Sequence, residues 1–204
     1  MLNLGMADTK WEIFKASIDL FSVEGYANVN IKEIAKGAGI KPSTIYHHFP
    51  KGKDEILSYI YRFYDDNYMA GLPKLEEVLS FIGKITPIEI LRKTHFYSEI
   101  YFEKEVLELM YKIAQIAVME RKHDDRAENL LAKILYAISQ KYLNTILNKM
   151  VEKDIIEPID IETFVSLITH YDTTMLFSQY GTQPMPPEKW NKGRELIYKL
   201  LCVK

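Results

Sequence analysis

The sequence contains a single cysteine, Cys202, among its 204 residues. One cysteine excludes an internal disulfide framework and a zinc site built on cysteine pairs. No apolar run approaches the roughly 18–20 residues that a membrane-spanning helix needs. The N-terminal residues also lack the basic start and apolar core of a signal peptide. We therefore expect a soluble, cytoplasmic protein that has no membrane partner and needs neither a metal nor another cofactor.

Known catalytic signatures are missing as well. The sequence has no H-E-x-x-H, no P-loop, no G-x-S-x-G and no glycine-rich dinucleotide loop. It also lacks the period-two alternation of a half-buried strand, whereas apolar residues recur at helical spacing almost everywhere. These patterns predict an all-α fold and a protein that is not an enzyme.

The glycines and prolines fall mostly between the periodic segments, where they would separate helices. Asp8 is a candidate N-cap for the first helix and Gly25 its end, and Thr86-Pro87 is typical of an N-cap followed by the first helical residue. Between these signals, the spacing predicts helices near residues 8–25, 54–70, 88–102, 103–121, 124–151, 160–180 and 187–202, with a shorter one before Gly83.

Charge is unevenly distributed along the chain. Acidic residues outnumber basic ones by 28 to 26, so the net charge is −2. Between Gly25 and Lys53, however, five lysines stand against one acid, Glu33, and His47 and His48 lie in the same stretch. A basic segment in an acidic protein is typical of a surface that binds an anion such as nucleic acid, although a solvated surface of uneven charge is the alternative.

This basic segment has the pattern of two short helices joined by a tight turn. Asn30 followed by Glu33 is a capping-box arrangement at the start of the first helix. Gly37-Ala38-Gly39 forms the turn, and Pro42 stands where the second helix begins. We expect the inward faces to carry Ile31, Ile34, Ala35, Ile40, Ile45 and Phe49. The outward face of the second helix then carries Pro42, Ser43, Tyr46 and His47, which is the arrangement of a helix-turn-helix that presents its second helix to a DNA major groove.

The same segment resembles the DNA-binding domain of the tetracycline-repressor (TetR) family of bacterial transcriptional regulators. The resemblance covers about a quarter of the chain. It rests on Tyr26, Ile31, Ile34, Ala35, Ala38, Gly39, Thr44, Ile45, Tyr46, His48, Phe49 and Lys53.

Four positions depart from the pattern of that family. Val29-Asn30 replaces a threonine pair, which leaves Asn30 as the cap. Lys41 replaces a serine that would cap the second helix, so side-chain capping is lost there while the lysine gains reach to a phosphate. Ser43 replaces a glycine that allows close approach. These departures bear on which operator is read.

The resemblance implies a role in DNA binding for nine residues. Asn30 and Lys32 would meet the DNA backbone or a base at the groove edge. Base edges would be contacted by Pro42, Ser43, Thr44 and His47, and phosphates by Lys41, Tyr46 and Lys53. Phosphate contacts position a protein, and base contacts select the sequence. Each residue also has a local alternative, since Thr44 can cap, Tyr46 can pack and Lys53 can simply be solvated.

The resemblance further implies two domains, with the helix-turn-helix in residues 1–53 and effector binding and dimerisation in residues 54–204. The family usually forms a homodimer through its last two helices, here near 160–180 and 187–202, and the dimer would read a palindromic operator. We assign the interface to Phe164, Ile168, Tyr171, Met175, Trp190, Ile197 and Leu200. Burial of the same helices within one subunit is the alternative.

A small-molecule effector is a second expectation from the family, in which repression of transcription is the usual mode. Aromatic and methionine residues are frequent between positions 88 and 151 and are suited to an apolar cavity. Our candidates for ligand contact are His95, Tyr97, Tyr101, Met110 and Tyr136. Packing in a plain hydrophobic core is the simpler explanation for each of them taken singly.

Two other classes of protein compete with a regulator. A helical di-metal enzyme needs paired Glu-x-x-His motifs, and the sequence contains one such pair, Glu120 with His123. A solvated helix end accounts for that pair more simply. A ligand-binding or interaction protein with a vestigial helix-turn-helix is the other class, suggested by Lys41 and Ser43.

Overall fold

The computed structural model describes residues 8–71, 73–94, 104–134, 138–178 and 186–202. Within these ranges the regular structure is helical and contains no strand, which confirms the predicted all-α class. The helices are α1 (Asp8–Glu24), α2 (Ile31–Gly37), α3 (Pro42–His48), α4 (Lys53–Gly71), α5 (Leu75–Ser80), α6 (Pro87–Lys93), α7 (Lys104–Glu120), α8 (Asp125–Ala132), α9 (Ile138–Glu152), α10 (Ile161–Ser178) and α11 (Pro187–Lys199), followed by a 3-10 turn over Leu200–Cys202.

Helix boundaries follow the local signals in the sequence. Gly25 ends α1 with a left-handed φ of 82°, and its N–H donates to the Phe21 carbonyl at 3.0 Å. Thr86 caps α6 through a reciprocal pair of bonds with Glu89, and Pro87 is the first helical residue, as predicted. The long helix predicted over 124–151 is instead described as α8 and α9, with residues 135–137 outside the described part. Of the helix predicted over 88–102, the description covers α6, which ends at Lys93.

The described residues form two compact units. The first unit comprises the described residues within 1–69 and 102–131, and the second unit comprises those within 70–101 and 132–204. The boundary predicted between residues 53 and 54 divides the chain by expected function, into a DNA-binding part and an effector-binding and dimerisation part. It does not coincide with the division of the chain into packing units. The reason is physical: α7 packs along α1 and belongs to the first unit.

The first unit has an apolar core with aromatic contacts. Phe14 lies 4.7 Å from Phe63 and 5.7 Å from Tyr59, measured between ring centroids. Helix α7 contributes Met110, Ile113, Ala114 and Ala117, all fully buried. An ion pair of 2.6 Å between Lys112 and Asp19 also joins α7 to α1.

The second unit has its own core, built by α5, α6, α9, α10 and α11. Its buried members include Ile90, Ile146, Leu147, Met150, Val165 and Leu201. Helix α11 comes very close to α10, because a Cβ placed on Gly193 would overlap the phenol of Tyr171. Two ion pairs reinforce the helix contacts: Arg194 with Asp172 between α11 and α10, and Arg92 with Glu195 between α6 and α11, each at 2.7 Å.

Candidate nucleic-acid interface

The interface starts at α2, whose first turn is held by side-chain hydrogen bonds. The Asn30 Oδ1 accepts from the backbone N–H groups of Lys32 at 2.9 Å and Glu33 at 3.1 Å. In return, the Glu33 carboxylate accepts the Asn30 N–H at 2.7 Å. The predicted capping box is therefore confirmed. It satisfies donors that would otherwise be unpaired at a helix N-terminus.

A short turn then sets the angle between α2 and α3. Gly39 has a left-handed φ of 67°, which glycine adopts without steric cost. The Ile40 N–H donates to the Ala35 carbonyl at 2.9 Å, and the Ile40 side chain is half-buried. Helices α2 and α3 consequently pack against each other as a helix-turn-helix unit.

Helix α3 begins without a side-chain cap. Lys41 occupies the N-cap position with an extended backbone and makes no capping bond, and Pro42 is the first helical residue. Both features are as predicted. Ile45 and Phe49 are buried, while Pro42, Ser43, Tyr46 and His47 are exposed and Thr44 is half-buried. The outward face of α3 thus has the predicted composition.

The exposed part of this segment is basic. Lys32, Lys36, Lys41 and Lys51 are all exposed, whereas the acid Glu33 is engaged in the cap of α2. Tyr46 is 51% exposed, and one edge of its ring lies close to Gly52, where a Cβ would stand 3.2 Å from the ring. Because Gly52 also has a left-handed φ of 65°, glycine is favoured at this position on two grounds.

Lys53 differs from the other lysines. Its Nζ donates to the backbone carbonyls of Tyr26 at 2.6 Å and Val29 at 2.7 Å, and lies 4.2 Å from the centre of the Tyr26 ring. Partial burial lowers the pKa of the Lys53 ammonium, and the carboxylates of Glu120 and Glu33 oppose that shift. The role predicted for Lys53, a phosphate contact, stays a prediction.

Two residues of the α7–α8 region also belong to this neighbourhood, and no local pattern in the sequence pointed to them. The Glu120 carboxylate accepts the Tyr26 N–H at 3.0 Å. Arg126 donates to Ser58 and Asp54 on α4 and to Asp124 before α8. Partners separated by 68 to 94 positions cannot be paired from local spacing.

The Glu120–His123 pair lies at the end of α7 and in the turn that follows it. Glu120 bonds to the backbone and His123 is exposed. Among the described residues, no group of three or more His, Cys, Asp or Glu side chains is arranged to hold a metal ion. In the same ranges, no helix is both long and apolar enough to cross a membrane.

The residues predicted for the dimer interface have mixed surroundings. Phe164, Ile168 and Trp190 are buried within the second unit itself. Tyr171 and Ile197 are half-buried, Leu200 is 55% exposed, and the Met175 side chain lies outside the described residues. Two exposed leucines were not predicted: Leu167 on α10 and Leu196 on α11.

Most of the residues predicted to bind a ligand fall outside the described part of the chain. These are His95, Tyr97, Tyr101 and Tyr136. The fifth, Met110, is fully buried on α7 in the first unit. The assignment of the effector site therefore stays a prediction.

Comparison with known proteins connects this geometry to a family. Residues 13–60 match the family described as "Bacterial regulatory proteins, tetR family". The HTH-type transcriptional regulator AcrR of Shigella flexneri is 34% identical over 86 residues, which are 42% of this chain and 38% of that protein. The HTH-type transcriptional regulator LmrA of Bacillus subtilis (strain 168) is 30% identical over 53 residues, or 26% of this chain and 28% of that protein. The chain thus spans well under half the length of these curated relatives.

The likeness in fold extends further than the likeness in sequence. The crystal structure of the TetR family transcriptional regulator PfmR from Thermus thermophilus has a TM-score of 0.61 and 21% identity. The match covers 92% of this chain and 97% of that one. At this identity, the structural match supports the fold alone.

Proposed function

We propose that this chain, whose residues 13–60 match the TetR family of bacterial regulatory proteins, is a transcriptional repressor. In this proposal it binds a palindromic operator in double-stranded DNA as a homodimer, and a small-molecule effector releases it. The observation that carries the proposal is the α2–α3 pair. Its outward face is polar and exposed, and its surroundings are basic.

We assign two kinds of DNA contact to this surface. Pro42, Ser43, Thr44 and His47 on α3 would face base edges in the major groove. Lys32, Lys41 and Tyr46 would contact phosphates, with Asn30 fixing the start of α2 beside them. The exposed Lys41 at the start of α3 is suited to a phosphate contact, because its ammonium is positively charged and carries only N–H donors.

A homodimer would read more bases than one short helix can. A single α3 can read few bases, whereas two copies about 34–36 Å apart read two half-sites on one face of the duplex. We place the interface on α10, α11 and the 3-10 turn after α11, where Leu167, Leu196 and Leu200 are between 45% and 59% exposed. Leucines exposed on two helices that pack together are candidates for burial against a second copy.

The effector would act by changing the separation of the two α3 helices. An effector that favours the non-binding separation weakens DNA binding by the coupling free energy, typically about 1–3 kcal/mol or 5–150-fold. The aromatic-rich segments between positions 88 and 151 remain our proposed location for its pocket.

The first experiment is a selection of the purified, ligand-free protein against random DNA duplexes. We expect enrichment of a two-fold-symmetric site with half-sites about one helical turn apart. Binding to that site is then measured against salt for the wild type and for Lys41→Ala. The variant should bind more weakly, with a salt slope smaller by about 0.9 for each phosphate contact that is removed, or about 1.8 for a dimer.

Lys74→Ala is the matched control, because Lys74 is an exposed lysine of the second unit. Its slope should equal that of the wild type. If folded, ligand-free protein enriches no symmetric site, the repressor proposal fails in favour of a ligand-binding protein with a vestigial helix-turn-helix.

A further inference from the structure

The connector between α1 and α2, residues 25–30, is held by contacts from distant parts of the first unit. It ends at Asn30, the N-cap of α2, so its position decides where α2 starts. Within the connector, the Tyr26 ring packs edge-on against Phe21 at 5.4 Å. The backbone N–H and the backbone carbonyl of Tyr26 both make hydrogen bonds to side chains that are distant in the sequence.

Lys53 holds the connector from the side of α4. Its ammonium lies against the carbonyls of Tyr26 and Val29, at 2.6 and 2.7 Å, and over the Tyr26 ring. An ammonium has three N–H donors, and these two bonds engage two of them. The Val29 carbonyl immediately precedes Asn30 in the chain, so Lys53 acts directly beside the cap of α2.

Glu120 holds the connector from the side of α7. Its carboxylate accepts the Tyr26 N–H at 3.0 Å, so Tyr26 is bonded through its N–H to an anion and through its carbonyl to a cation. The α7–α8 turn that follows Glu120 is also tied to α4, since Arg126 donates to Asp124 in this turn and to Asp54 and Ser58 on α4. Charge-assisted bonds of this kind are stronger than neutral ones.

We propose that Lys53 and Glu120 form a clamp on the connector, and that both residues support DNA binding by positioning the start of α2. Lys53 then contributes through the protein backbone and not through a phosphate contact. This inference rests on the proposed DNA-binding function. It gives Glu120, an acid that contacts the connector, a favourable role in DNA binding that its charge alone would not predict.

The salt dependence of DNA binding distinguishes the two roles of Lys53. We expect Lys53→Met to weaken operator binding by about 10-fold or more, because the two charge-assisted bonds beside the start of α2 are lost. Its salt slope should remain that of the wild type. Lys41→Met, at the proposed phosphate contact, is the matched comparison and should lower the slope by about 1.8 per dimer. A slope for Lys53→Met that falls as far as that of Lys41→Met, or an unchanged affinity, overturns the proposal.

Glu120 supplies a second, independent test. Simple electrostatics predicts that removal of an acid near DNA strengthens binding. The clamp predicts the opposite for Glu120→Leu, which loses the acceptor for the Tyr26 N–H. Glu120→Gln keeps an acceptor oxygen and should restore most of the affinity. Glu128→Leu, at an exposed acid on α8, controls for the loss of charge. Tighter binding by Glu120→Leu, or no recovery in Glu120→Gln, contradicts the clamp.

A measurement without DNA separates this proposal from the proposed function. In Lys53→Met and Glu120→Leu, the amide hydrogen of Tyr26 should exchange at least about 10-fold faster than in the wild type, while amides in the core of α4 stay protected. Unchanged exchange at Tyr26 overturns the clamp even if the wild type binds DNA. If the wild type binds no DNA but Tyr26 exchange responds as expected, the proposed function fails and the clamp stands as a structural feature.

Discussion

The first unit exposes basic and polar side chains on its helix-turn-helix, whereas the second unit exposes leucines on α10, on α11 and just after α11. Helix-to-helix ion pairs occur in both units, such as Lys112 with Asp19 in the first and Arg194 with Asp172 in the second. The first unit has in addition a set of polar side chains that bond to backbone groups at and just before the start of α2: Asn30, Glu33, Lys53 and Glu120. The difference indicates that the first unit is built to hold a short helix in a set orientation for an anionic partner, while the second keeps a helix pair together and leaves apolar surface available.

The buried ion pair of the second unit should give the largest effect when it is broken. Arg194 is 4% exposed and donates to Asp172 through Nε at 3.0 Å and Nη2 at 2.7 Å. Asp172→Ala leaves a buried guanidinium unpaired, which typically costs about 3–5 kcal/mol. We expect that loss in the free energy of unfolding measured by denaturant titration.

A double variant checks the cause. Asp172→Ala combined with Arg194→Met removes both charges and should recover much of the stability, because apolar replacement of a whole buried pair is often neutral. Arg92→Met, at the more exposed pair with Glu195, should cost no more than about 1 kcal/mol. A loss below that value in Asp172→Ala would show that the buried pair does not hold α10 to α11.

The exposed leucines test whether the second unit provides the dimer interface. Leu196 is 59% exposed, so Leu196→Glu should leave the folded subunit intact. A carboxylate placed at a buried interface position should weaken dimerisation by about 2 kcal/mol or more, or about 30-fold. Analytical ultracentrifugation across a concentration series measures this directly, with Lys192→Glu, at an exposed residue on the same helix, as control. Equal dissociation constants for the wild type and Leu196→Glu would exclude Leu196 from the interface.

The cap of α2 should give a smaller effect, confined to the first unit. Asn30→Ala removes the acceptor for two backbone N–H groups, and loss of such a cap costs about 1 kcal/mol. We expect this loss in thermal unfolding together with weaker operator binding. Lys36→Ala, at an exposed position in the last turn of α2, should leave the unfolding free energy unchanged. A variant at Asn30 that loses DNA affinity without loss of stability would indicate a direct DNA contact instead.

Contacts between residues close in the sequence could be predicted, whereas contacts that depend on how helices pack could not. Asn30 with Glu33 and Thr86 with Glu89 are three residues apart, so a helix brings them together whatever surrounds it. The bond from Tyr26 to Glu120 depends on how α7 packs along α1, which no local spacing encodes. The residues predicted for the dimer interface also could not be assigned from local spacing alone. Periodicity identifies Phe164 and Ile168 as apolar and inward-facing, but it cannot tell whether their own unit or a second copy covers them.

The smallest effect we expect concerns pH and the tie between Arg126 and Asp124. Hydrogen bonds from the Arg126 side chain hold the pKa of the Asp124 carboxyl below its ordinary value, against the effect of burial. A carboxyl with a lower pKa in the folded state stabilises the fold above its unfolded pKa of about 3.9 and loses that contribution as the pH falls through the folded value. Arg126 is 39% exposed at its side chain, so the contribution at neutral pH should stay below about 1 kcal/mol.

The measurement compares the unfolding free energies of the wild type and Arg126→Met from pH 7 to pH 2.5. We expect a small deficit in the variant at pH 7 that shrinks once the pH falls below about 4, because the unfolded chain then takes up a proton that the folded wild type, with its lowered Asp124 pKa, still resists. Arg121→Met, at an exposed arginine in the turn between α7 and α8, serves as control. A deficit that stays constant down to pH 2.5 would mean that Arg126 stabilises the first unit through packing and its bond to Ser58, which does not titrate.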